Sequence, residues 1–443
     1  MLLVDFTWTR NKDPRVPLGH ASLLAALHTE ATLEVRSLVV AVNTPHCRPH
    51  SVVSRILMET SDCLPSAIDV AFGAYVWGED TLTAVLRGLR ARGFQGRIIV
   101  GGPQISYSGA GIDGLYPEAD VFIRGYGEQA LRQLARSPER QAITGVHFRG
   151  EADVVAQASV DLEKLPSPWL SDLIPIAEGS FVRWETQRGC PFRCGFCQHR
   201  EAGARLLRRS LGLPRIEAEI DLFCRAGVGE IAVLDPIFNA GPHAVGVLQR
   251  FVDHGFAGRL ALQCRAETVT TEFLDVAGQL NVCLEFGLQT IHTDEGRAVR
   301  RGNNVARVDE TFAAVRARGI QHEVSLIFGL PHQTLASFKA SVDWCLARRV
   351  PVLKAFPLML LRGTELERER EKWDLVDTGG AMPMVIESSS FTRDEWEVMA
   401  QLAEALSGTE EHHPLSVAEL EEMAHALTPD LFRWLPSGKK EAA

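Results

Sequence analysis

The chain has 443 residues, 46% of them hydrophobic and 23% charged, and a net charge of −10. These values are typical of a globular protein with two or three domains, and the acidic balance argues against nucleic acid as a partner. No apolar run approaches the roughly 20 residues that span a bilayer, the N-terminus lacks the features of a signal peptide, and nine cysteines suggest no disulfide framework. We therefore expect a cytoplasmic protein that acts on a small molecule or a peptide.

Residues 1–140 alternate short strand patterns with helical patterns. Strands are predicted at LLVDF, AIDVAFGAYVW, GRIIVGG and DVFIRGYGE, and helices at LGHASLLAALH, TLTAVLRGLRARG and EQALRQLAR. This alternation predicts a Rossmann-like, doubly wound parallel sheet, whose ligands bind beyond the carboxyl ends of the strands. Three groups of residues follow predicted strands: Tyr75, Val76 and Trp77; Gly101, Gly102 and Pro103; and Gly125, Tyr126, Gly127 and Glu128.

Residues 141–178 are proline-bearing and irregular, which predicts a linker with a small hairpin at GVHFRGEADVV. From residue 179 to 366, six strands are predicted at SFVRWETQR, EIAVLD, LALQCRA, CLEFGLQ, HEVSLIFGL and VLKAFPLML. Six such units predict a partial (β/α)6 barrel, whose chemistry lies at the carboxyl ends of the strands. Residues 367–443 then form a small, mainly helical domain with a helix at SVAELEEMAHAL.

A cluster of three cysteines follows the first predicted barrel strand, in the sequence CPFRCGFC. Cys190, Cys194 and Cys197 cannot complete a tetrahedral zinc site alone, and His199 is the nearest candidate for a fourth ligand. An iron–sulfur cubane can be held by three cysteines with one iron left open. Three unrelated buried thiols are the simplest alternative.

These motifs resemble the signature of the radical S-adenosylmethionine (SAM) superfamily. The match extends through WETQRGCPFRCGFC, VLDPIFN, LEFGLQT, SLIFGLP and PLMLLRGTEL, in that order. The N-terminal half resembles the cobalamin-binding domain that precedes the barrel in one large branch, through AYVW, IVGGPQIS and RGYGE. The resemblance covers residues 1–366. It implies an α/β chain with three cofactors: a 4Fe–4S cluster, SAM and cobalamin.

The resemblance assigns the three cysteines to a 4Fe–4S cluster whose open iron binds SAM and cleaves it to a 5′-deoxyadenosyl radical. It places Phe196 beside the adenine, although a core aromatic under the loop is an equally simple interpretation. Arg265 would meet the SAM carboxylate, or else form an internal ion pair with Glu267 or Glu285.

Three further strand-end residues match positions that line the SAM pocket in similar proteins: Glu285, Gln289 and Ser325. Two positions depart from the pattern. Ser325 stands where an acidic residue is common, and Gln333 stands where a glutamate is usual. Both departures weaken the transfer of individual roles without affecting the cluster motif.

The motif Asp-x-His-x-x-Gly, which supplies a histidine to cobalt, does not occur in the first half of the chain. His20 is a weak candidate, because a histidine bonded within a helix start explains it as well. We expect a cobalt without a histidine ligand, screened by Tyr75 or Trp77. Gly101 and Gly102 would let the backbone approach the bulky ligand, or would simply form a tight turn.

The leading hypothesis is a cobalamin-dependent radical SAM methyltransferase acting on an unactivated carbon, reduced by an electron donor such as a flavodoxin or ferredoxin. The alternatives with the same cofactors are non-methylating radical chemistry (ring formation, ring contraction or oxidation) and polar methylation of a nucleophilic carbon. A regulatory protein that has lost catalysis is disfavoured by the intact cysteine motif. Transfer-RNA methylthiolation is disfavoured because no second three-cysteine set is present.

The C-terminal segment is expected to close the barrel mouth and shape the substrate pocket. It carries Trp373, Phe391, Trp396 and the pair His412–His413. The histidine pair predicts a solvated surface feature more strongly than a metal site, because no further ligand clusters with it.

Overall fold

The computed structural model describes residues 1–45, 47–61, 68–136, 141–199 and 209–426. These residues form two compact units. The first comprises residues 1–183 and 211–226, and the second comprises residues 184–199, 209–210 and 227–426. No helix of the described ranges is long and apolar enough to cross a membrane.

The first unit is built on a six-stranded sheet in the order β2-β1-β3-β4-β5-β6. Strands β1 to β5 are parallel, and β6 runs antiparallel to β5. The order 2-1-3-4-5 is that of a flavodoxin-like doubly wound sheet, which confirms the predicted parallel α/β fold. The strands are β1 (Leu2–Thr7), β2 (Arg36–Ala41), β3 (Asp69–Gly73), β4 (Arg97–Gly101), β5 (Val121–Ile123) and β6 (Val146–Phe148).

Helices cover both faces of this sheet, and the side chains of β1 show why. Val4 and Phe6 belong to one hydrophobic cluster, whereas Leu3 belongs to a second cluster on the opposite face. Successive residues of a strand point to opposite faces, so both faces are apolar and both are buried. The helices among them are α1 (Leu18–Leu27), α2 (Pro49–Glu59), α3 (Glu79–Ala91), α4 (Pro103–Ser106), α5 (Ile112–Leu115) and α6 (Gly127–Arg136). Helix α7 (Leu213–Arg225) also belongs to the first unit.

Strand β2 and helix α2 are absent from the sequence-based prediction. β2 forms an edge of the sheet and buries only Leu38 fully. An edge strand with one buried side chain gives a weak hydrophobic pattern, and this is why RSLVVA was missed.

The hairpin predicted at GVHFRGEADVV is wrong. Only Val146–Phe148 forms a strand there, and it pairs with β5 rather than with the following residues. The chain turns at Gly150, which has a φ of 83°. Asp153 is then held by the buried guanidinium of Arg124, 2.8 Å away. The segment expected to be a linker therefore contributes a strand to the first unit.

A second six-stranded sheet has the order β14-β13-β12-β11-β10-β7, and its strands β10 to β14 belong to the second unit. Strands β10 to β14 are parallel and follow one another in chain order, with helices between them. All six strands predicted for the barrel are confirmed. They are β7 (Phe181–Trp184), β10 (Glu230–Val233), β11 (Arg259–Cys264), β12 (Asn281–Gln289), β13 (Gln321–Phe328) and β14 (Val352–Pro357).

Shorter strands and the remaining helices complete this unit. Helix α14 begins with a capping box between Thr392 and Glu395, and the helix predicted at SVAELEEMAHAL is confirmed by α15 up to Ala426. The short strands are β8 (Gln187–Arg188), β9 (Arg209–Ser210), β15 (Val376–Asp377) and β16 (Val385–Glu387). The helices are α8 (Ala244–Asp253), α9 (Thr271–Ala277), α10 (Thr293–Ala298), α11 (Val305–Ala317), α12 (Leu335–Ala347), α13 (Glu365–Arg368), α14 (Arg393–Gly408) and α15 (Val417–Ala426).

Candidate active site

The three cysteines of CPFRCGFC lie in one irregular loop that follows β8. Cys190 is buried, whereas Cys194 and Cys197 are half-buried. All three line a single cavity of about 310 Å³ in the second unit. The amide of Cys197 donates to the carbonyl oxygen of Cys194 over 3.2 Å, which folds the loop back on itself. The sequence motif therefore brings three thiols to one concave surface.

The cysteine loop is fixed by backbone bonds to two later segments of the chain. The amide of Gly195 donates to the carbonyl oxygen of Val299 over 2.7 Å, and the amide of Leu366 donates to the carbonyl oxygen of Gly195 over 2.9 Å. The Gln198 side chain also donates to the carbonyl oxygen of Arg362 over 2.7 Å. These bonds hold the loop from outside the cavity.

The number of thiols, rather than their positions, distinguishes an iron–sulfur cluster from a zinc ion here. A structural zinc site takes four ligands, and the loop supplies three cysteines. A cubane can be held by three cysteines with one iron left open.

Burial and the neighbouring positive charges act in opposite directions on the pKa of the Cys190 thiol, and the net shift is upward. Burial raises the pKa of the Cys190 thiol, while the cations Arg265 and Arg301 act in the opposite direction. Because metal ligation requires the deprotonated sulfur, the two guanidinium groups support ligation at a buried position.

Each residue predicted to contact SAM lines the same cavity as the cysteines. They are Phe196, Arg265, Glu285, Gln289 and Ser325, and Gln263 joins them from β11. All of these except Phe196 lie on or directly after the parallel strands β11, β12 and β13. Arg265 and Gln289 stand at carboxyl ends, whereas Glu285 and Ser325 lie near the middle of their strands and line the cavity from there.

Gln289 reaches the cavity through an irregularity in β12. The register of β12 with β13 shifts between Gly287 and Gln289, and Gln289 has a φ of 65°. A bulge of this kind re-aims a side chain at a strand end. The Gln289 side-chain oxygen is buried without a hydrogen-bond partner among the described residues. It is a polar atom for which a ligand would supply the missing partner.

Arg265 is engaged by the protein itself. Its Nε lies 3.3 Å from a Glu267 carboxylate oxygen, and its terminal nitrogen donates to the carbonyl oxygen of Gly302 over 2.8 Å. The guanidinium also stacks over the Phe192 ring at 4.1 Å. The internal ion pair considered from the sequence is therefore present.

Arg301 is a residue of the cavity that sequence reasoning missed. Its guanidinium is buried and donates to the carbonyl oxygen of Gly287, while its Nε has no partner among the described residues. Burial lowers the Arg301 pKa, and the neighbouring Arg265 charge adds to this effect. The sequence feature that could have pointed to Arg301 is the pair of arginines in RRGNN, which follows a short helix.

Gln333, the second departure from the family pattern, is explained by a buried carboxylate. Its Nε2 donates to Glu295 over 3.4 Å, and its Oε1 accepts from the amides of Gly329 and Leu330. Glu295 also accepts from the Thr290 hydroxyl over 2.5 Å. A glutamate at position 333 would place two carboxylates together in this interior, whereas the amide supplies a donor.

In the first unit, the aromatic residues predicted to contact cobalamin follow β3. The rings of Tyr75 and Trp77 stack with centroids 4.7 Å apart, and Val76 between them is half-buried. The Trp77 indole N–H donates to the carbonyl oxygen of Phe6 over 2.9 Å, yet 39% of the residue is exposed. The pair therefore presents a flat aromatic surface at the carboxyl edge of the sheet.

The glycine groups follow the next two strands along the same edge. Gly101, Gly102 and Pro103 join β4 to α4, and Gly102 has a φ of 101°. A Cβ on Gly102 would lie 2.8 Å from the carbonyl oxygen of Ala74. Only glycine fits there without strain.

The last group joins β5 to α6. Gly125 has a φ of 82°, and a Cβ on it would lie 2.3 Å from the carbonyl oxygen of Ala158. Tyr126 donates its amide to that same oxygen, and Gly127 begins α6. The buried Glu128 carboxylate accepts from the Ser22 hydroxyl over 3.0 Å, which joins α6 to α1.

His20 lies inside α1 as a buried side chain. Its Nε2 lies 2.8 Å from the Ser37 hydroxyl, and its Nδ1 lies 4.0 Å from the Asp5 carboxylate. Burial lowers the pKa of His20 to about 4. A ring that is bonded within the core favours the structural interpretation of this histidine over a cobalt ligand.

The pair His412–His413 is divided by the structure. His412 is exposed, whereas His413 is partly buried against β14 and bonds to backbone and side-chain partners there. The second histidine is thus neither a solvated surface residue nor part of a metal site within the described residues.

Comparison with known proteins gives one family match. Residues 184–345 match the sequence model of the Radical SAM superfamily. The chain is 24% identical over 387 residues to the cobalamin-dependent radical SAM methyltransferase TokK of Streptomyces tokunonensis, with 77% of this chain and 56% of TokK covered. It is 23% identical over 374 residues to the 2-(S-pantetheinyl)-carbapenam-3-carboxylate methyltransferase of Streptantibioticus cattleyicolor, with coverages of 74% and 54%. The chain spans a little over half the length of these relatives.

Two solved structures share the fold. The radical SAM methyltransferase TsrM of Kitasatospora setae, solved with cobalamin and a 4Fe–4S cluster, gives a TM-score of 0.68 at 18% identity over 90% of this chain and 81% of TsrM. The cobalamin-dependent SAM radical enzyme OxsB, solved with aqua-cobalamin and SAM, gives 0.70 at 17% identity over 96% of this chain and 71% of OxsB.

Proposed function

Because residues 184–345 form a radical SAM domain, we propose that this chain is a cobalamin-dependent methyltransferase acting on an unactivated carbon of a small molecule or peptide. The observation that carries this proposal is the cavity lined both by the three cysteines and by polar residues of β11, β12 and β13. The relatives TokK and TsrM, both described as methyltransferases, support the reaction class.

The cavity residues fit a cluster with SAM. Cys190, Cys194 and Cys197 would hold a 4Fe–4S cluster, which three cysteines can ligate with one iron left open. Bound there, the cluster and SAM supply one-electron chemistry that generates an organic radical. Arg301 offers an unpartnered buried N–H to an anionic group, and Gln289 offers an unpartnered oxygen to a donor.

The protein's contribution is position. Glu285, Gln289 and Ser325 project from adjacent strands, so a ligand bound to them is held in one orientation relative to the cysteine loop. Holding a reactive centre against one C–H bond is a positional effect that can supply several kcal/mol.

The first unit would hold cobalamin, which supplies a methyl carrier. The stacked pair Tyr75–Trp77 offers an aromatic surface to a macrocycle. The turns at Gly102 and Gly125 follow the next two strands along the same edge. With His20 bonded to Ser37, we infer that cobalt receives no ligand from His20.

The test uses anaerobically reconstituted protein with cobalamin, SAM and a low-potential reductant, and it quantifies 5′-deoxyadenosine and S-adenosylhomocysteine together. Both nucleosides are expected. Deoxyadenosine alone would favour non-methylating radical chemistry, and S-adenosylhomocysteine alone would favour polar methylation. If neither 5′-deoxyadenosine nor S-adenosylhomocysteine forms, the proposal is overturned.

A pair of variants makes this test specific. Cys194→Ala removes one cluster ligand and should abolish deoxyadenosine formation. Cys224→Ala changes a half-buried cysteine of α7 outside the loop and should preserve it. Repeating the assay with a reduced flavodoxin or ferredoxin in place of the chemical reductant tests the proposed electron donor.

A further inference from the structure

Asp235, directly after β10, is a buried carboxylate that the proposed chemistry does not use. Its side chain is completely inaccessible to solvent. It accepts three hydrogen bonds: from the amide of Thr186 at 2.8 Å, from the hydroxyl of Thr186 at 2.5 Å and from the amide of Gln187 at 3.2 Å. One carboxylate therefore holds two successive residues of another segment.

The segment held by Asp235 leads directly into the cysteine loop. Thr186 precedes Cys190 by four residues, and the chain turns between them at Gly189, which has a φ of 82°. The Gln187 side chain adds a bond from its Nε2 to the carbonyl oxygen of Ile237 over 2.9 Å. Thr186 and Gln187, which precede the first cysteine, are thereby both bonded to the segment that follows β10.

The same carboxylate joins this segment to the cavity wall. Pro236 and Ile237 follow Asp235 in sequence and line the cavity that contains the three cysteines. A displacement of Thr186 relative to Asp235 would therefore shift Cys190 relative to the opposite wall. The three bonds define the distance between the loop and the strand end.

Burial of this group is costly, which argues that its hydrogen bonds have a role beyond filling space. Burial raises the pKa of Asp235 to about 7 despite three donors, with the nearby Glu185 carboxylate adding to the effect. An apolar residue of similar volume is often neutral or stabilising at such a position. Buried polar groups are instead used in some proteins to specify one arrangement.

We propose that Asp235 is a positioning residue that sets the entry of the cysteine loop, so that the three thiols are arranged for cluster binding before the cluster arrives. The bonds from Asp235 to Thr186 and Gln187 carry this role. The identity of the cluster rests on the proposed function, whereas the positioning of the loop does not.

The test compares variants that differ in hydrogen bonding at this one junction. Asp235→Val removes all three acceptors, whereas Asp235→Asn keeps an oxygen for the two amides and allows the Thr186 hydroxyl to reverse. Thr186→Val removes one bond, and Thr186→Ser restores it. Asp5→Val is the matched control, because Asp5 is a buried carboxylate of the first unit whose pKa is also raised to about 7.

Two measurements are made on each variant. Hydrogen exchange of the Thr186 and Gln187 amides is followed in cluster-free protein, and iron and sulfide are then counted after reconstitution, with the electron paramagnetic resonance spectrum recorded with and without SAM. In Asp235→Val we expect exchange about tenfold faster or more, incomplete cluster uptake and loss of the spectral change caused by SAM. Asp235→Asn, Thr186→Ser and Asp5→Val should behave as the wild type.

Wild-type exchange and cluster uptake in Asp235→Val would overturn the proposal, and so would an Asp235→Asn variant that fails as completely as Asp235→Val. If Asp235→Val does not fold, Thr186→Val is used instead, because it leaves the carboxylate in place. Faster amide exchange and incomplete cluster uptake in Thr186→Val would support the role of Asp235, and wild-type values would overturn it. A wild-type protein that takes up no cluster would overturn the proposed function, but the exchange comparison would still test Asp235.

Discussion

His413 accepts a hydrogen bond from the backbone N–H of Leu353 over 2.9 Å. The accepting atom is Nε2, so the imidazole must be neutral, and Nδ1 carries the proton that points to the Thr409 hydroxyl 2.8 Å away. Leu353 belongs to β14, an edge of the second sheet. A histidine from the C-terminal segment thus covers an N–H group that an edge strand would otherwise expose.

Replacing this histidine should destabilise the second unit. His413→Leu leaves the Leu353 amide without its acceptor and should lower the free energy of unfolding by about 1 to 3 kcal/mol. Denaturant unfolding measures the change. The control is His412→Leu, because His412 is exposed and its replacement should be nearly neutral. Equal effects of the two variants would contradict the assignment.

Buried histidines should make stability fall in mild acid. Burial lowers the pKa of His322 to about 4. A lowered folded-state pKa contributes stability that is present above the unfolded value near 6.5 and is lost as the pH falls towards 4. His322→Phe removes this titration, and the phenyl ring fits between Phe286 and Phe312, whose rings flank the imidazole.

The measurement is the difference in unfolding free energy between wild type and His322→Phe as a function of pH. From pH 7.5 to 4 the wild type should lose roughly 3 kcal/mol relative to the variant. The comparison with the variant is needed because Asp5 and Asp235 have raised pKa values near 7. Their contribution to the stability of the folded protein is lost as the pH rises, which is opposite to the effect of His322. A difference independent of pH would contradict the prediction.

Arg301 should contribute to SAM affinity. Arg301→Met removes the unpartnered guanidinium N–H from the cavity and should weaken SAM binding about tenfold or more, because the carboxylate loses a charged, buried partner. Equilibrium dialysis on reconstituted protein measures the dissociation constant. Arg297→Met is the control, since the Arg297 side chain is 76% exposed and pairs with Asp294 on the surface. Unchanged affinity in Arg301→Met would exclude this role.

Gly102 should resist substitution. Gly102→Ala places a Cβ 2.8 Å from the Ala74 carbonyl oxygen at a φ of 101° and should cost about 1 to 3 kcal/mol of stability. If this turn contacts cobalamin, the same substitution should also weaken cobalamin binding. The control is Gly114→Ala in α5, where a Cβ would contact nothing within 4 Å and should be tolerated. A Gly102→Ala protein with wild-type stability would show that the turn adapts.

The strands of the second unit were predictable because each is a buried, β-branched run bounded by a helix pattern. Glu285, Gln289 and Ser325 were proposed because their motifs resemble those of the radical SAM superfamily, and not from periodicity. The three cysteines stood out by their spacing, and the flanking motifs assigned them to a cluster. In each case a short local motif carried the signal.

Residues that reach the site through loops were not predictable in this way. Arg301 lies beyond a short helix, and its position depends on the carbonyl oxygen of Gly287 that it bonds. Asp235 was seen as part of VLDPIFN, but its partner Thr186 is 49 residues away in the chain. His413 looked like a surface residue, because no periodic pattern marks a side chain that covers a strand edge. Long-range pairing of single polar side chains leaves no local trace.

The two backbone bonds at Gly195 have a consequence for the order in which the protein is made. One partner, Val299, is translated about a hundred residues after the cysteines, and the other, Leu366, follows almost seventy residues later still. At about 5 to 20 residues per second, the thiols leave the ribosome roughly ten to thirty seconds before both of these partners exist. Asp235 is made much earlier, so the entry of the loop can be fixed while its far side still lacks both bonds.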